Sequence, residues 1–310
     1  MKSKGVPEFF AFEELQNWAE VSRKISPPVR LGVLGDPVAH SLSPQMQNAA
    51  LQEMKMQYGR FHVTPAELSQ AFELIRHSDM IGFNLTLPHK ENATGLVDDL
   101  DAEAKQIGAI NTVLVRDHKL IGFNTDGIGF ARAVRDEFSV DLRDLRILVV
   151  GAGGAARAIA YECARQNCER LVIANRTRTH GEKLMHDLQR FFAGPRVLGP
   201  VARLQAIGLE EAALRTQISN IDLLVNATPV GLHRSDSAII PAHILEPHLM
   251  VYDTVYGAGR TSLLVAATEM GARGCNGLFM LLHQGAKAFE IWFGREAPVA
   301  AMRSALLAVA

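Results

Sequence analysis

From Arg30 onward the chain alternates short apolar runs with longer amphipathic stretches. LGVLG (31–35), GRFHV (59–63), MIGFNL (80–85), INTVLV (110–115), ILVV (147–150), LVIA (171–174), DLLVNA (222–227) and MVYDTV (250–255) each have the length of a buried strand. Helix-length segments separate them, so the pattern predicts repeated βαβ units, mostly parallel sheets and an α/β fold. RDHK (116–119), between NTVLV and LIGFN, is short and polar, and predicts a hairpin with one antiparallel strand in the first sheet. Around Asp126 to Gly129 the chain leaves that hairpin for the helical GIGFARAVRDEF, and a fresh strand begins at Ile147. Two domains are expected: one over 30–126 that regains the tail 278–310, and one over 127–277. The tail GLFMLLHQGAKAFEIWFG has a helical apolar face and no strand after it, so it is expected to return to the first domain. In the extension 1–29, Phe12, Leu15, Trp18 and Ala19 fall at helical spacing. They predict one short amphipathic helix, ended by Pro27 and Pro28 and docked on the body or on a second subunit.

Composition narrows the partners. The chain has 310 residues, 48% of them hydrophobic, which is enough for two cores. Lys and Arg number 32 against 33 Asp and Glu, so no basic surplus exists for nucleic acid or an anionic membrane. No apolar run approaches the ~18 residues that a spanning helix needs. Cys163, Cys168 and Cys275 lack metal-ligand spacing, so they read as reduced core thiols in a cytoplasmic protein without a metal. Glu8, Glu13, Glu14 and Glu20 argue against an organelle transit peptide.

ILVVGAGGAARAIAYECARQN (147–167) is a strand, a glycine turn and a helix, with Gly151, Gly153 and Ala156 in G-x-G-x-x-G/A register. The first Gly permits a tight turn, the second lets backbone N–H groups approach a pyrophosphate, and the small third residue lets helix and strand pack. The second strand LVIA arrives about twenty residues later, as a dinucleotide unit requires. It ends in Asn175-Arg176-Thr177-Arg178, with no acid for a ribose 2′-hydroxyl, and a guanidinium beside a hydroxyl suits the 2′-phosphate of NADP. Arg176 and Arg178 can also be read as solvated loop cations. NATPVG (226–231), which includes Thr228, follows another strand and reads as either a ligand loop or a capped turn.

Polar residues gather at other strand ends. SLSP (41–44) offers Ser41 and Ser43 beside a helix N-terminus, a receptor for a carboxylate, although capping alone would explain Ser43 and Pro44. NLTLPHK (84–90) places Asn84 and Thr86 on one side of a period-two alternation and then presents Lys90. GAINT (108–112) carries Asn111, and GFNTDGIG (122–129) carries Asn124, Thr125 and Asp126, the last of which also reads as a helix cap. Each of these sets is expected to follow a strand, so that all share one edge of a parallel sheet. Such a set suits a polyhydroxylated, anionic small molecule next to a nicotinamide.

With SLSP, NLTLPHK, GAINT, GFNTDGIG, GAGGAARA, ANRT, NATPVG and GLFMLLHQGA in this order, the chain resembles the shikimate dehydrogenase family from about Leu31 to Gly294. The resemblance implies a substrate domain and a Rossmann-type NADP-binding domain, and reversible reduction of 3-dehydroshikimate to shikimate with NADP(H). It implies Lys90 and Asp126 as the catalytic pair, facing each other across a crevice. Ser41 and Ser43 would hold the substrate carboxylate, Asn84, Thr86, Asn111 and Gln284 its ring hydroxyls, and Tyr256 would help enclose it. The implied NADP set is Gly151, Ala152, Gly153, Gly154, Ala155, Asn175, Arg176, Thr177, Thr228 and Gly277. A monomer or homodimer is expected. The alternatives are a quinate/shikimate dehydrogenase using NAD or both cofactors, and a catalytically silent dinucleotide-binding regulator.

This chain departs from the family pattern at four places. Gln47 stands where His is usual, His180 where NADP-using relatives often carry a second Arg, and Gly257-Ala258 where Asn-Pro is common after the Tyr. The extension before Arg30 has no place in the pattern.

Overall fold

The computed structural model describes residues 6–193, 202–257 and 259–309; Ala258 and the first five residues of the extension lie outside them. The chain divides into two compact units, Met1–Thr125 with Leu282–Ala310, and Asp126–Leu281.

The first unit is built on strands β1 (Val29–Gly35), β2 (Gln57–His62), β3 (Gly82–Leu85), β4 (Asp99–Leu100), β5 (Thr112–Arg116) and β6 (Lys119–Phe123), in sheet order β2-β1-β3-β5-β6-β4. Only β5 runs antiparallel to its neighbours β3 and β6, and the other pairings are parallel. The hairpin between β5 and β6 turns on Asp117 and His118, with φ of 51° and 58°. Both lie in the left-handed region that a two-residue hairpin loop demands, so RDHK forms the predicted turn.

Around the sheet lie α1 (Phe12–Gln16), α2 (Trp18–Ser22), α3 (Ser43–Leu51), α4 (Leu68–Arg76) and α5 (Ala102–Ile107). The face of α4 made by Leu68, Ala71, Phe72 and Ile75 is buried at the three-to-four spacing of a helix, and Phe72 meets Phe83 edge-on at 5.0 Å. Asp101 caps α5 by accepting from the Glu103 N–H, and Gly108 ends it at a φ of 70°. That short, doubly terminated helix delivers the chain to Asn111.

The predicted single N-terminal helix is instead two short helical stretches, broken at Asn17 and ending at Ser22, ahead of the two prolines. Asn17 is the reason: it ends one stretch and begins the next, and its Nδ2 donates to the Glu13 carbonyl at 2.9 Å. The apolar spacing still serves its purpose, because Trp18 packs against Phe10 and Phe61 with ring centroids 5.2 Å away in each case. The extension therefore docks on its own chain.

The second unit holds β7 (Arg146–Val150), β8 (Arg170–Ala174), β9 (Leu204–Ile207), β10 (Leu223–Asn226), β11 (Met250–Asp253) and β12 (Arg273–Asn276), all parallel, in order β12-β11-β10-β7-β8-β9. Every residue of β8 and β10 is buried, which is why Leu171–Ala174 and Leu223–Val225 read as apolar runs, with Arg170 and Asn226 as the polar exceptions at their ends. The strand order reverses between β7 and β10, the switch point where ligands of open α/β sheets bind. Its helices are α6 (Asp126–Phe138), α7 (Gly154–Arg165), α8 (Arg178–Leu188), α9 (Glu211–Ile218) and α10 (Ser262–Glu269).

Three strands, β4, β9 and β12, were not among the expected runs, and all three are sheet edges. An edge strand is paired on one side only, so it needs no continuous apolar sequence.

Two helices close the chain, α11 (Leu278–Phe293) and α12 (Val299–Leu307). They return to the first sheet as expected: Trp292 Nε1 donates to the Val113 carbonyl at 3.0 Å, and α12 packs on α3. A Cβ on Gly82 would lie 2.3 Å from Trp292 Nε1, so the close approach of α11 to β3 depends on that glycine. Among the described residues no helix is long and apolar enough to cross a membrane.

Candidate active site

The reversed strand β5 organises the first unit's polar edge. Asn111 precedes β5 rather than following a strand, which corrects the expected arrangement. Because β5 runs backwards, its start lies at the same edge as the ends of β1, β3 and β6, and Asn111 still joins the set.

Asn111 is 2% exposed and sits in a buried amide and hydroxyl network. Its Oδ1 accepts from the Thr125 N–H at 2.8 Å and from the Thr112 hydroxyl at 3.0 Å. Its Nδ2 donates to Thr125 Oγ1 at 3.0 Å and to Gln284 Oε1 at 3.3 Å. Gln284, carried by α11, thus meets Asn111 despite 173 residues of separation. A satisfied network of this kind fixes side-chain orientation ahead of any ligand.

Asn84 is held in the same buried network. Both hydrogens of its Nδ2 are committed, to the Asn111 carbonyl at 3.1 Å and to Thr112 Oγ1 at 3.0 Å, and its Oδ1 accepts from the Tyr58 hydroxyl at 2.7 Å. Both donors are thus spent inside the fold and tie Asn84 to Asn111 and Thr112. Tyr58 and Thr112 complete this support. Thr112 was visible inside GAINT, while nothing in the sequence marked Tyr58.

Thr86 lies just beyond β3, with its N–H on the Leu34 carbonyl at 3.0 Å. A Cβ on Gly35 would fall 2.3 Å from Thr86 Cγ2, so Gly35 makes room for the threonine methyl. Thr86 Oγ1 bonds to no described residue. Lys90 is half-buried, and its carbonyl accepts from the Ile110 N–H at 2.8 Å, which holds its backbone beside the Asn111 segment. The preceding His89 is fully buried, with Nε2 2.7 Å from the Val63 carbonyl. Burial pushes its imidazole below the ordinary range, so it stays neutral and anchors the turn that carries Lys90.

At the start of α3 the structure separates capping from binding. The N-cap position is Leu42, no side chain caps the helix, and Ser43 is already its first residue. Ser41 Oγ accepts from the Ser43 N–H at 3.3 Å, which leaves its own hydrogen available, and Ser43 Oγ bonds to no described residue. Two hydroxyls at an uncapped helix start form a suitable anion receptor.

In the second unit, Asp126 is 3% exposed and opens α6 directly after the network residue Thr125. Gly151 follows β7 with φ of 121°, and a Cβ there would meet the Ala227 carbonyl at 2.9 Å. Ala152 completes that turn. Gly153 is the N-cap of α7 without any side-chain cap, so the first-turn N–H groups at Gly154 and Ala155 fit a pyrophosphate. Asn175 Nδ2 donates to the Thr177 carbonyl at 2.8 Å and shapes the turn beyond β8. Arg178 pairs with Glu182 at 2.9 Å, whereas Arg176 is exposed and has no carboxylate partner among the described residues. His180 is exposed in the first turn of α8.

Beyond β10, Thr228 Oγ1 donates to Asn226 Oδ1 at 2.7 Å. Asn226 in turn donates to Asp253 at 2.9 Å, and Asp253 also accepts from Thr261 Oγ1 at 2.6 Å and from the Val255 N–H at 3.1 Å. Burial raises the Asp253 carboxyl while these three donors oppose the shift. The base of the loop carrying Tyr256 is therefore clasped from Asp253 to Thr261, a support that sequence reading missed. Gly277 lies between β12 and α11, where a Cβ would be 2.1 Å from the Thr254 carbonyl. Among the described residues, no group of three or more His, Cys, Asp or Glu could hold a metal ion.

Three family models match the chain: a shikimate dehydrogenase substrate binding domain over 33–113, a shikimate/quinate 5-dehydrogenase over 132–197, and a shikimate 5′-dehydrogenase C-terminal domain over 277–307. The NADP(+) shikimate dehydrogenase of Methanopyrus kandleri is 42% identical over 281 residues, covering 89% of this chain and 94% of the relative. That of Symbiobacterium thermophilum is 44% identical over 283 residues, covering 90% and 93%. The crystal structure of shikimate 5-dehydrogenase from Thermus thermophilus, in complex with NADP(H) and shikimate, superposes with a TM-score of 0.77 at 35% identity, covering 90% of this chain and 99% of that one.

Proposed function

This chain belongs to the shikimate dehydrogenase family, and we propose that it catalyses the reversible NADPH-dependent reduction of 3-dehydroshikimate to shikimate. The observation that carries this reading is the pre-formed buried network of Asn111, Thr125 and Gln284 at the sheet edge that also presents Lys90. Such a network holds amides and hydroxyls in fixed orientation, and it suits a ring bearing several hydroxyls.

In this reading the uncapped start of α3 holds the substrate carboxylate through Ser41 and Ser43. Thr86, Asn111 and Gln284 bond the ring hydroxyls, Asn84 supports them from behind, and Tyr256 encloses the ring. NADPH supplies the hydride; Gly151 to Ala155 receive its pyrophosphate, Asn175, Arg176 and Thr177 its 2′-phosphate, and Thr228 and Gly277 flank it. Negative charge develops on the carbonyl oxygen, and the Lys90 ammonium stabilises it and donates the proton. Asp126 accepts a bond from a substrate hydroxyl. The enzyme acts in the cytoplasm on these small molecules, as a monomer or homodimer.

Initial rates with shikimate and quinate, each with NADP and NAD, test the reading. Shikimate with NADP is expected to give the highest kcat/KM, and faster turnover of quinate, or a preference for NAD, would overturn the assignment.

A further inference from the structure

The segment Val6–Ala11 precedes the range matched by the substrate-domain model, which begins at residue 33, and no role in the reaction has been given to it. In the structure it adds to the sheet. The Phe10 N–H donates to the Arg60 carbonyl at 2.8 Å, and the His62 N–H donates to the Phe10 carbonyl at 2.9 Å, so Phe10 forms a parallel bridge along the open side of edge strand β2. Phe10 is 1% exposed and stacks on Phe61 at 5.1 Å, and a Cβ on Gly59 would meet its ring at 2.9 Å. The segment is thus seated by backbone bonds and by an aromatic anchor.

Arg60 connects this edge to the start of α3. Its Nε donates to the Ser41 carbonyl at 2.9 Å, one Nη to the Glu8 carbonyl at 3.1 Å, and the other Nη to Gln45 Oε1 at 3.2 Å. One planar, always-charged fork thereby holds the loop before α3, the first turn of α3 and the N-terminal segment. A carbonyl that accepts from a guanidinium is held in one orientation, and the peptide of Ser41 sets where the Ser41 and Ser43 hydroxyls lie.

We propose that Val6–Ala11 and Arg60 form a brace that positions the carboxylate receptor of Ser41 and Ser43. The brace rests on the functional reading above, because it supposes that this receptor takes the substrate carboxylate. Arg60 is a positioning residue in this scheme: it acts through the Ser41 carbonyl, and the Glu8 carbonyl fixes Arg60 in turn. The guanidinium also adds positive charge behind the receptor, which favours an anionic over a neutral ligand.

Shikimate and its uncharged methyl ester serve as the two probes, with steady-state kinetics, a separate NADPH titration by fluorescence, and a thermal melt for each protein. Arg60→Met is expected to raise KM for shikimate about tenfold, the scale of one charge-assisted hydrogen bond, with kcat and NADPH affinity unchanged. A chain starting at Phe9, which lacks the Glu8 carbonyl but keeps Arg60, is expected to shift KM the same way by about threefold, the scale of one ordinary hydrogen bond. Both variants should discriminate less between shikimate and the ester than the full chain does, which a loss of stability alone would not produce. An unchanged KM in both variants, or an equal rise for shikimate and the ester, overturns the brace. A full chain that neither binds nor turns over shikimate overturns the functional reading and the brace with it.

Discussion

Gln47 Nε2 donates to the carbonyl oxygen of Gly285 at 2.9 Å, so the helix that begins at Ser43 is tied to α11 one residue beyond Gln284. A Cβ on Gly285 would lie 2.2 Å from Met46 Cε and 3.2 Å from Gln47 Nε2, which shows how closely the two helices approach. The tie also has a cost: Gln47 is fully buried, and its Oε1 has no hydrogen-bond partner among the described residues.

Gln47→Leu loses one hydrogen bond, worth about 1 kcal/mol, but also removes the unpartnered carbonyl, whose burial costs about 1–3 kcal/mol. The expected result is a melting temperature within a few degrees of the parent, or above it. Gln47→Glu keeps the shape but turns an acceptor, or a buried charge, toward the Gly285 carbonyl. Its melting temperature should fall well below that of the leucine variant, and calorimetry of the two proteins side by side checks the order.

Lys90→Ala should retain NADPH binding and lose turnover by at least ~100-fold, the lower scale of general acid–base catalysis. Fluorescence titration and stopped-flow hydride transfer separate the two effects. Turnover near the parent rate would remove Lys90 from the chemistry.

The sequence reading puts Arg176 and not Arg178 in the NADP set, and the two differ in the structure as well, because only Arg178 has a carboxylate partner among the described residues. Arg176→Ala is therefore expected to raise KM for NADP about tenfold or more and to leave KM for NAD nearly unchanged. Arg178→Ala should change the NADP to NAD ratio much less. Equal losses in the two variants would contradict this division.

Asp222 joins the starts of β10 and β7, accepting from the Arg146 N–H at 2.8 Å and from its guanidinium at 2.9 and 2.6 Å. Burial alone would raise its carboxyl, but the bonds from Arg146 outweigh that, and the net shift is downward. With the folded value below the unfolded one, the stabilisation is fully present above about pH 4 and is lost as pH falls through the lowered value. Urea unfolding from neutral to acid pH should show Asp222→Asn to be less stable at neutrality and flatter across the acid limb. A parallel displacement of the two curves would rule out the linkage.

Much of this was legible in the sequence for definable reasons. Interior strands such as β8 are buried on both faces and carry a continuous apolar run, here Leu171 to Ala174, so they stand out; edge strands such as β12, with the sequence RGCN, carry no such requirement. The proposed ligand loops were legible because SLSP, NLTLPHK and GFNTD put polar groups where a strand ends. The division of labour within them was not. Asn84 would have the same period-two position whether or not it held Asn111, and its bonds to Thr112 and Tyr58 have no local signature. Arg60 was invisible for a related reason: its partners lie at Glu8, Ser41 and Gln45, and no local pattern encodes that convergence.

The bond between Asn111 and Gln284 joins the beginning and the end of the chain, with the whole second unit translated between them. During synthesis, β1 to β6 leave the ribosome long before α11, which supplies Gln284 and the Trp292 that lies over Gly82. The first sheet must therefore wait, incompletely covered, until α11 has been made, while the second unit is made contiguously and needs no such delay. A chain truncated after Leu281 should accordingly hold a protease-resistant second unit and a first unit still open to cleavage.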